Sequence, residues 1–222
     1  MARAALVQEI LERLYPNPQP SLHFYSPFTL LVAVVLSAQC TDLRVNQATE
    51  RLFKVADTPQ KMAALTPQEI YQYIFSLGLA KSKAQYLARL SQQLVADYGG
   101  QVPSALKELE KLAGVGHKTA SVVSLQAFGI PAFPVDTHIF RCARRWGLSQ
   151  AQKVEGVERD LKGLYPAKDW GRLHLQIISC GRQYCKAQGH DPGLCPVCSL
   201  LLPVGDHVDP GGGADRRGGE DR

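Results

Sequence analysis

Three groups of residues in this 222-residue sequence could do chemistry. The first is Leu112-Ala-Gly-Val-Gly116, followed by His117-Lys118-Thr119. Gly114 and Gly116 allow the positive φ that a tight reversal between helices requires. They also let backbone come close to a ligand, beside the unpaired N–H groups and positive dipole end of the next helix, which together cradle phosphate. The plainer reading is a pair of glycines that only turns the chain. Lys118 falls in the first turn of that helix, where the dipole disfavours a cation. It is either a solvated lysine or an amine whose pKa the helix end and burial lower, and a neutral amine is a nucleophile.

The second group is Pro134-Val-Asp136-Thr-His138. Asp136 precedes a helical pattern, so it is a helix N-cap or a carboxylate set opposite the Lys118 amine. The third is a set of cysteines. Of six, four (Cys180, Cys185, Cys195 and Cys198) crowd into nineteen residues near the C-terminus. In an intracellular chain such crowding points to metal more than to disulfides. Cys142 shares a helical face with Ile139 and Trp146 and reads as a small core residue, as does Cys40.

The elements that must position these groups are helical. Residues 2–14 place Ala5, Ile10, Leu11 and Leu14 on one face. Pro27 opens a nearly all-apolar segment to Ser37, the pattern of a buried central helix. Thr41 and Asp42 can cap a helix reaching about Val55. Thr58-Pro59 and Thr66-Pro67 start two more, the second with Glu69 completing a capping box. Further helices are expected at 82–98, ended by Gly99-Gly100, and at 104–112, 117–128, 137–146, 150–164 and 167–182. No alternating strand pattern occurs, so the fold class is all-α. Beyond residue 182, glycines and prolines break regular structure, and the Gly-rich stretch 209–222 is expected to be disordered.

Composition sets outer bounds. With 45% apolar and 20% charged residues the chain is ordinary globular material. The longest apolar stretch, Phe28 to Ala38, is about half of what a bilayer span needs. Arg3, Glu9, Glu12 and Arg13 interrupt the N-terminus where a signal peptide would be apolar. The expectation is a cytoplasmic (or nucleoid) chain. A net charge of +5 fits a polyanion partner without demanding one.

Four motifs, in order, make the sequence resemble the endonuclease III family of helix-hairpin-helix DNA glycosylases. They are Leu36-Ser-Ala-Gln39-Cys-Thr-Asp42, Gly78-Leu79-x-x-Ser82-Lys83-Ala84, Leu112-x-Gly114-Val-Gly116-x-Lys118-Thr119-Ala120 and Val135-Asp136-Thr-His138. Ala113 stands where the family usually has proline, a change expected to loosen the turn slightly. The resemblance implies a two-lobed fold: a helical barrel over 21–131 carrying the hairpin (about 104–128), and a second lobe from 1–20 with 132–208.

It also implies a bifunctional DNA glycosylase and abasic-site lyase that acts as a monomer on damaged double-stranded DNA. Its substrates would be oxidised or ring-saturated pyrimidines. The damaged base must leave the stack. Gln39 would fill the gap and Leu79 wedge beside it, while Gly114, Val115, Gly116, Thr119 and His138 would contact DNA. Lys118 would attack C1′ and Asp136 stabilise the developing sugar cation. Asp42 either lines the lesion pocket or caps its helix. A mismatch-type or other-lesion glycosylase of the same fold, and a non-catalytic hairpin that only holds DNA, are the competing readings.

Family members commonly hold a [4Fe–4S] cluster with Cys-x6-Cys-x2-Cys-x5-Cys. Here Cys185 is followed nine residues later by Cys195, then by Cys198, and Val204 stands at the fourth position. Cys180 is the expected substitute. Five helical residues rotate by about 140° net, so pairing it with Cys185 requires unwinding near Gly181. His190, Asp206 and His207 are other donors. An iron–sulfur cluster is favoured, with zinc or no metal as alternatives.

Overall fold

The computed structural model describes residues 2–201; Val204, Asp206, His207 and the stretch 209–222 lie outside them. Among the described residues the chain is helical, without a strand. The helices are α1 (Ala2–Leu14), α2 (Pro27–Ser37), α3 (Asp42–Phe53), α4 (Pro59–Ala63), α5 (Pro67–Ile74), α6 (Ala80–Tyr98), α7 (Leu106–Leu109), α8 (His117–Phe128), α9 (Thr137–Arg145), α10 (Val154–Leu164), α11 (Trp170–Gln183) and α12 (Cys198–Leu201).

Local chemistry starts most of them. Ser26 accepts the Thr29 N–H at 3.1 Å while Thr29 Oγ1 accepts the Ser26 N–H at 2.9 Å, a reciprocal cap ahead of Pro27. Thr66 and Glu69 form the expected box before Pro67. Thr41 makes no side-chain cap on α3.

Two elements depart from expectation. The helix expected over 104–112 shrinks to α7, and its end tightens into i→i−3 bonds from Lys111 to Glu108 and from Leu112 to Leu109. Before α10, the Ser149 hydroxyl takes the Ala151 N–H at 3.1 Å, so the helix starts at Val154 instead of 150.

Apolar side chains gather into two cores. In the first, α2 runs through the middle, every residue from Phe28 to Leu36 buried, packed on α8, α3 and α6. In the second, α1 returns to pack on α11, which packs on α9; Trp146 and Phe133 are fully buried there. A cleft separates the two lobes, and α8 and α9 meet at it.

Candidate active site

Lys118 comes from the first turn of α8 in the first lobe, and Asp136 is the N-cap residue of α9 in the second. Both line one cleft of roughly 1150 Å³ and a smaller recess of roughly 130 Å³ behind it. The cleft is ample for a nucleotide, since ligand sites typically measure about 300–1,000 Å³. Asp136 Oδ1 accepts the Ile139 N–H at 2.8 Å, so the residue caps its helix and faces the lysine's cavity at once. The two sequence readings of Asp136 are compatible.

The hairpin differs in detail from expectation. Gly114 has φ +76°, and a Cβ there would lie 2.7 Å from the Tyr86 ring, so glycine is needed for conformation and for packing. Gly116 has φ −93° and ψ 176°, extended backbone open to any residue. Its surroundings are open, with nothing within 4 Å of a built Cβ. The N-terminus of α8 takes no side-chain cap, which leaves its amides for an external anion. Ala113 is held by Gln93, whose Oε1 accepts its N–H at 2.8 Å. A proline at that position has no such hydrogen. Val115 is buried, Thr119 half-buried.

Gln39 and Leu79 sit on neighbouring loops after α2 and before α6. They are the two non-glycine residues with left-handed backbone among the described residues, at φ +55° and +59°. Leu79 is 57% exposed despite its apolar side chain. Gln39 lines the cleft.

Asp42 also lines cleft and recess. Its Oδ2 accepts from the Ser21 hydroxyl at 2.6 Å and from Arg182 on α11 at 2.8 Å, so it ties the lobes together and does not cap α3. His138 is half-buried in the cleft wall, and burial pushes its pKa below the ordinary histidine value. Its Nδ1 accepts from Arg141 Nη2 at 3.1 Å, and Arg141 also donates to the Gly181 and Cys185 carbonyls.

The cysteines form a donor set of a different make-up from the one expected. Cys185, His190, Cys195 and Cys198 present four ligand atoms all within 4.8 Å of one another. His190 Nε2 lies 3.3 Å from Cys198 Sγ and 3.6 Å from Cys185 Sγ. Cys180, the expected fourth ligand, is outside this set. No unwinding occurs near Gly181: α11 runs through it to Gln183, and the Tyr184 and Cys185 N–H groups both bond the Cys180 carbonyl at 2.9 Å. Gly181 stays helical in close contact with α9, where a Cβ would stand 3.1 Å from Cys142 Sγ. Three thiolates and an imidazole are a donor set that metal clusters and zinc both accept.

A family model described as HhH-GPD superfamily base excision DNA repair protein matches residues 32–167. Endonuclease III of Bacillus subtilis is 43% identical over 188 residues, covering 84% of this chain and 86% of that one. The chain belongs to the endonuclease III family. Endonuclease III of Escherichia coli K12 is 43% identical over 195 residues, 86% of this chain and 92% of that one. Among solved structures, a trapped endonuclease III–DNA covalent intermediate superposes with TM-score 0.83 at 40% identity, covering 87% of this chain and 93% of that one. A thermostable thymine-DNA glycosylase, 21% identical, shares the fold with TM-score 0.80.

Two residues of this family member's site carried no signal in the sequence. His174 is 3% exposed and lines the recess beside Lys118 and Asp136. Its Nδ1 donates to the Pro134 carbonyl at 3.0 Å, and burial pushes its pKa down to about 4. It is therefore a neutral imidazole bracing the strap that leads to Asp136. Arg182 lines both cavities and reaches Asp42 Oδ2 at 2.8 Å from α11. Both act across forty residues or more, and no spacing rule reaches that far.

Proposed function

We propose that the cleft is the active site of a bifunctional DNA glycosylase and abasic-site lyase of base excision repair. The observation that carries this is the pairing of Lys118 at a hairpin helix start with Asp136 from the opposite lobe, facing one nucleotide-sized cleft. Duplex DNA lies across the cleft with hairpin amides on phosphate, and salt dependence of binding is steep. A flipped nucleotide enters the cleft; the Lys118 amine forms a bond to C1′ as the C1′–N bond breaks. The departing base takes a proton, and the Asp136 carboxylate stabilises positive charge on the sugar. Loss of a proton from the amine and ring opening leave a Schiff base. This acidifies the 2′ hydrogen; its removal expels the 3′ phosphate and cuts the strand. Oxidised or ring-saturated pyrimidines in chromosomal DNA of the cytoplasm are the substrates this reading favours.

The test is Lys118→Gln. It abolishes borohydride-trapped enzyme–DNA adducts and strand nicking on an abasic duplex. An undiminished adduct would move the nucleophile elsewhere, and nicking without trapping would remove the Schiff base from the mechanism.

The cofactor reading is a [4Fe–4S] cluster on Cys185, Cys195, Cys198 and His190, with histidine replacing a cysteine as it does in other iron–sulfur proteins. The cluster would fasten the loop from Cys185 to Cys198 against α9 and α11. A single zinc ion is the second reading, favoured by the tight donor set: tetrahedral thiolates on zinc lie about 3.8 Å apart, whereas an iron–sulfur cube places its own atoms between its ligands. Visible absorption with stoichiometric iron supports the first; a colourless protein with one zinc supports the second.

A further inference from the structure

Lys83, in the first turn of α6, is 3% exposed and has no carboxylate beside it among the described residues. Its ammonium spends all three donors on the loop that leaves α2. Nζ bonds the Leu36 carbonyl at 2.8 Å, the Ala38 carbonyl at 2.7 Å and Cys40 Sγ at 3.3 Å. Those carbonyls form the negative end of the α2 dipole, which explains how a cation is tolerated there. The same sulfur accepts the Gly78 N–H at 3.2 Å from the loop before α6. Between these fixed points stand Gln39 and Leu79, each in the left-handed region that their side chains disfavour. The loops touch: a Cβ on Gly78 would lie 3.4 Å from the Gln39 carbonyl oxygen.

We infer that Lys83 and Cys40 are positioning residues that hold Gln39 and Leu79 as a preformed two-pronged wedge before DNA arrives. Neither left-handed residue is explained by its own sequence, and the bonds from Lys83 and Cys40 supply the missing constraint from behind. The ammonium sets the path of the Gln39 loop, and the shared sulfur sets the spacing of the two prongs. Extruding a base is then done by a rigid edge, with no ordering of loops at the moment of insertion. This rests on the reading that Gln39 and Leu79 enter the duplex.

The experiment compares two reactions of the same intact protein. One is base release from a ring-saturated pyrimidine paired in a duplex, which requires extrusion. The other is nicking of a single-stranded abasic site, which has no base to extrude and no partner strand to wedge. Lys83→Met lowers the first by about 100-fold and the second by less than about threefold. Cys40→Ala, which leaves the Lys83 ammonium on its carbonyls, lowers only the first, by about tenfold. Gln39→Ala and Leu79→Ala serve as references. If these leave base release intact, the wedge reading fails. If they impair it while Cys40→Ala and Lys83→Met do not, the positioning role fails. Equal loss of both reactions in Cys40→Ala would likewise overturn it, because a general structural role predicts that.

Discussion

Asp136 combines a structural duty with the chemical one proposed above, and two substitutions separate them. Its Oδ1 accepts the Ile139 N–H at 2.8 Å, and its charge sits at the start of α9 across from Lys118. Asparagine keeps the acceptor and is as good an N-cap as aspartate, so Asp136→Asn gives up only the charge–dipole contribution, about 0.5 kcal/mol. Asp136→Ala gives up that contribution and the cap, about 1 kcal/mol more. For a chain of this size the extra loss lowers Tm by about 2–4 °C relative to the asparagine variant. Catalysis divides differently. Both variants lack the carboxylate charge facing the sugar, and both lose about 100- to 1,000-fold in base release under single-turnover conditions. Denaturant unfolding and single-turnover base release, run on the same three proteins, check the pair of expectations. Wild-type base release by Asp136→Asn would refute the electrostatic role. Equal instability of the two variants would refute the cap.

Three further outcomes follow from the hairpin and the recess. His117 bonds Glu110 at 2.7 Å and Glu158 at 3.1 Å, and these carboxylates, Glu110 first, raise its pKa. Its stabilisation is complete below the unfolded value of 6.5 and is lost as pH rises through the higher folded value, so His117→Gln is less stable than wild type near pH 6 and the gap narrows as pH rises above the folded value. A gap that does not change with pH would remove this bridge. His174 behaves oppositely: neutral when folded, it makes stability fall as pH drops from 6.5 toward about 4, and His174→Gln flattens that limb in unfolding titrations. Gly114→Ala drives a Cβ to 2.7 Å from Tyr86 Cγ and strains φ, costing about 2–4 kcal/mol. Adding Tyr86→Ala recovers the packing share but leaves about 1 kcal/mol of backbone strain; full recovery would show that φ is not a constraint.

What was legible in the sequence was what short-range chemistry decides. Pro27, the Thr66–Glu69 box and Gly99-Gly100 mark helix ends because capping and φ preferences act within one turn. The apolar run of α2 announced a buried helix because every face of it had to be covered. Lys118 and Asp136 could be singled out because each breaks or doubles a local rule. Other features depend on distant partners. The hydrogen bond that replaces proline rigidity at Ala113 comes from Gln93, twenty residues away. That His190 lies within 4.8 Å of the three cysteine donors, with Cys180 outside the group, depends on how the chain travels between Cys185 and Cys195; cysteine spacing alone points to the sulfur. The helical-period separation of Cys180 from Cys185 is retained in the structure, because Gly181 stays helical in contact with α9.

Several departures from local preference lie at or beside one edge of the cleft. Lys118 is a basic side chain at a positive helix end, Gln39 and Leu79 are left-handed without being glycine, and Lys83 is an interior ammonium whose anchors are carbonyls and a thiol. Each costs stability in isolation, and for the two loops the compensating contacts are tertiary, from Lys83 and Cys40. A chain selected only to fold would place a carboxylate at the start of α8 and glycines at 39 and 79. That this one does neither, on the face where the proposed reaction opens a duplex and attacks a sugar, fits strain retained for function. It follows that substituting glycine at 39 or 79 should relax the backbone while costing wedge action, separating stability from base extrusion at the same two positions.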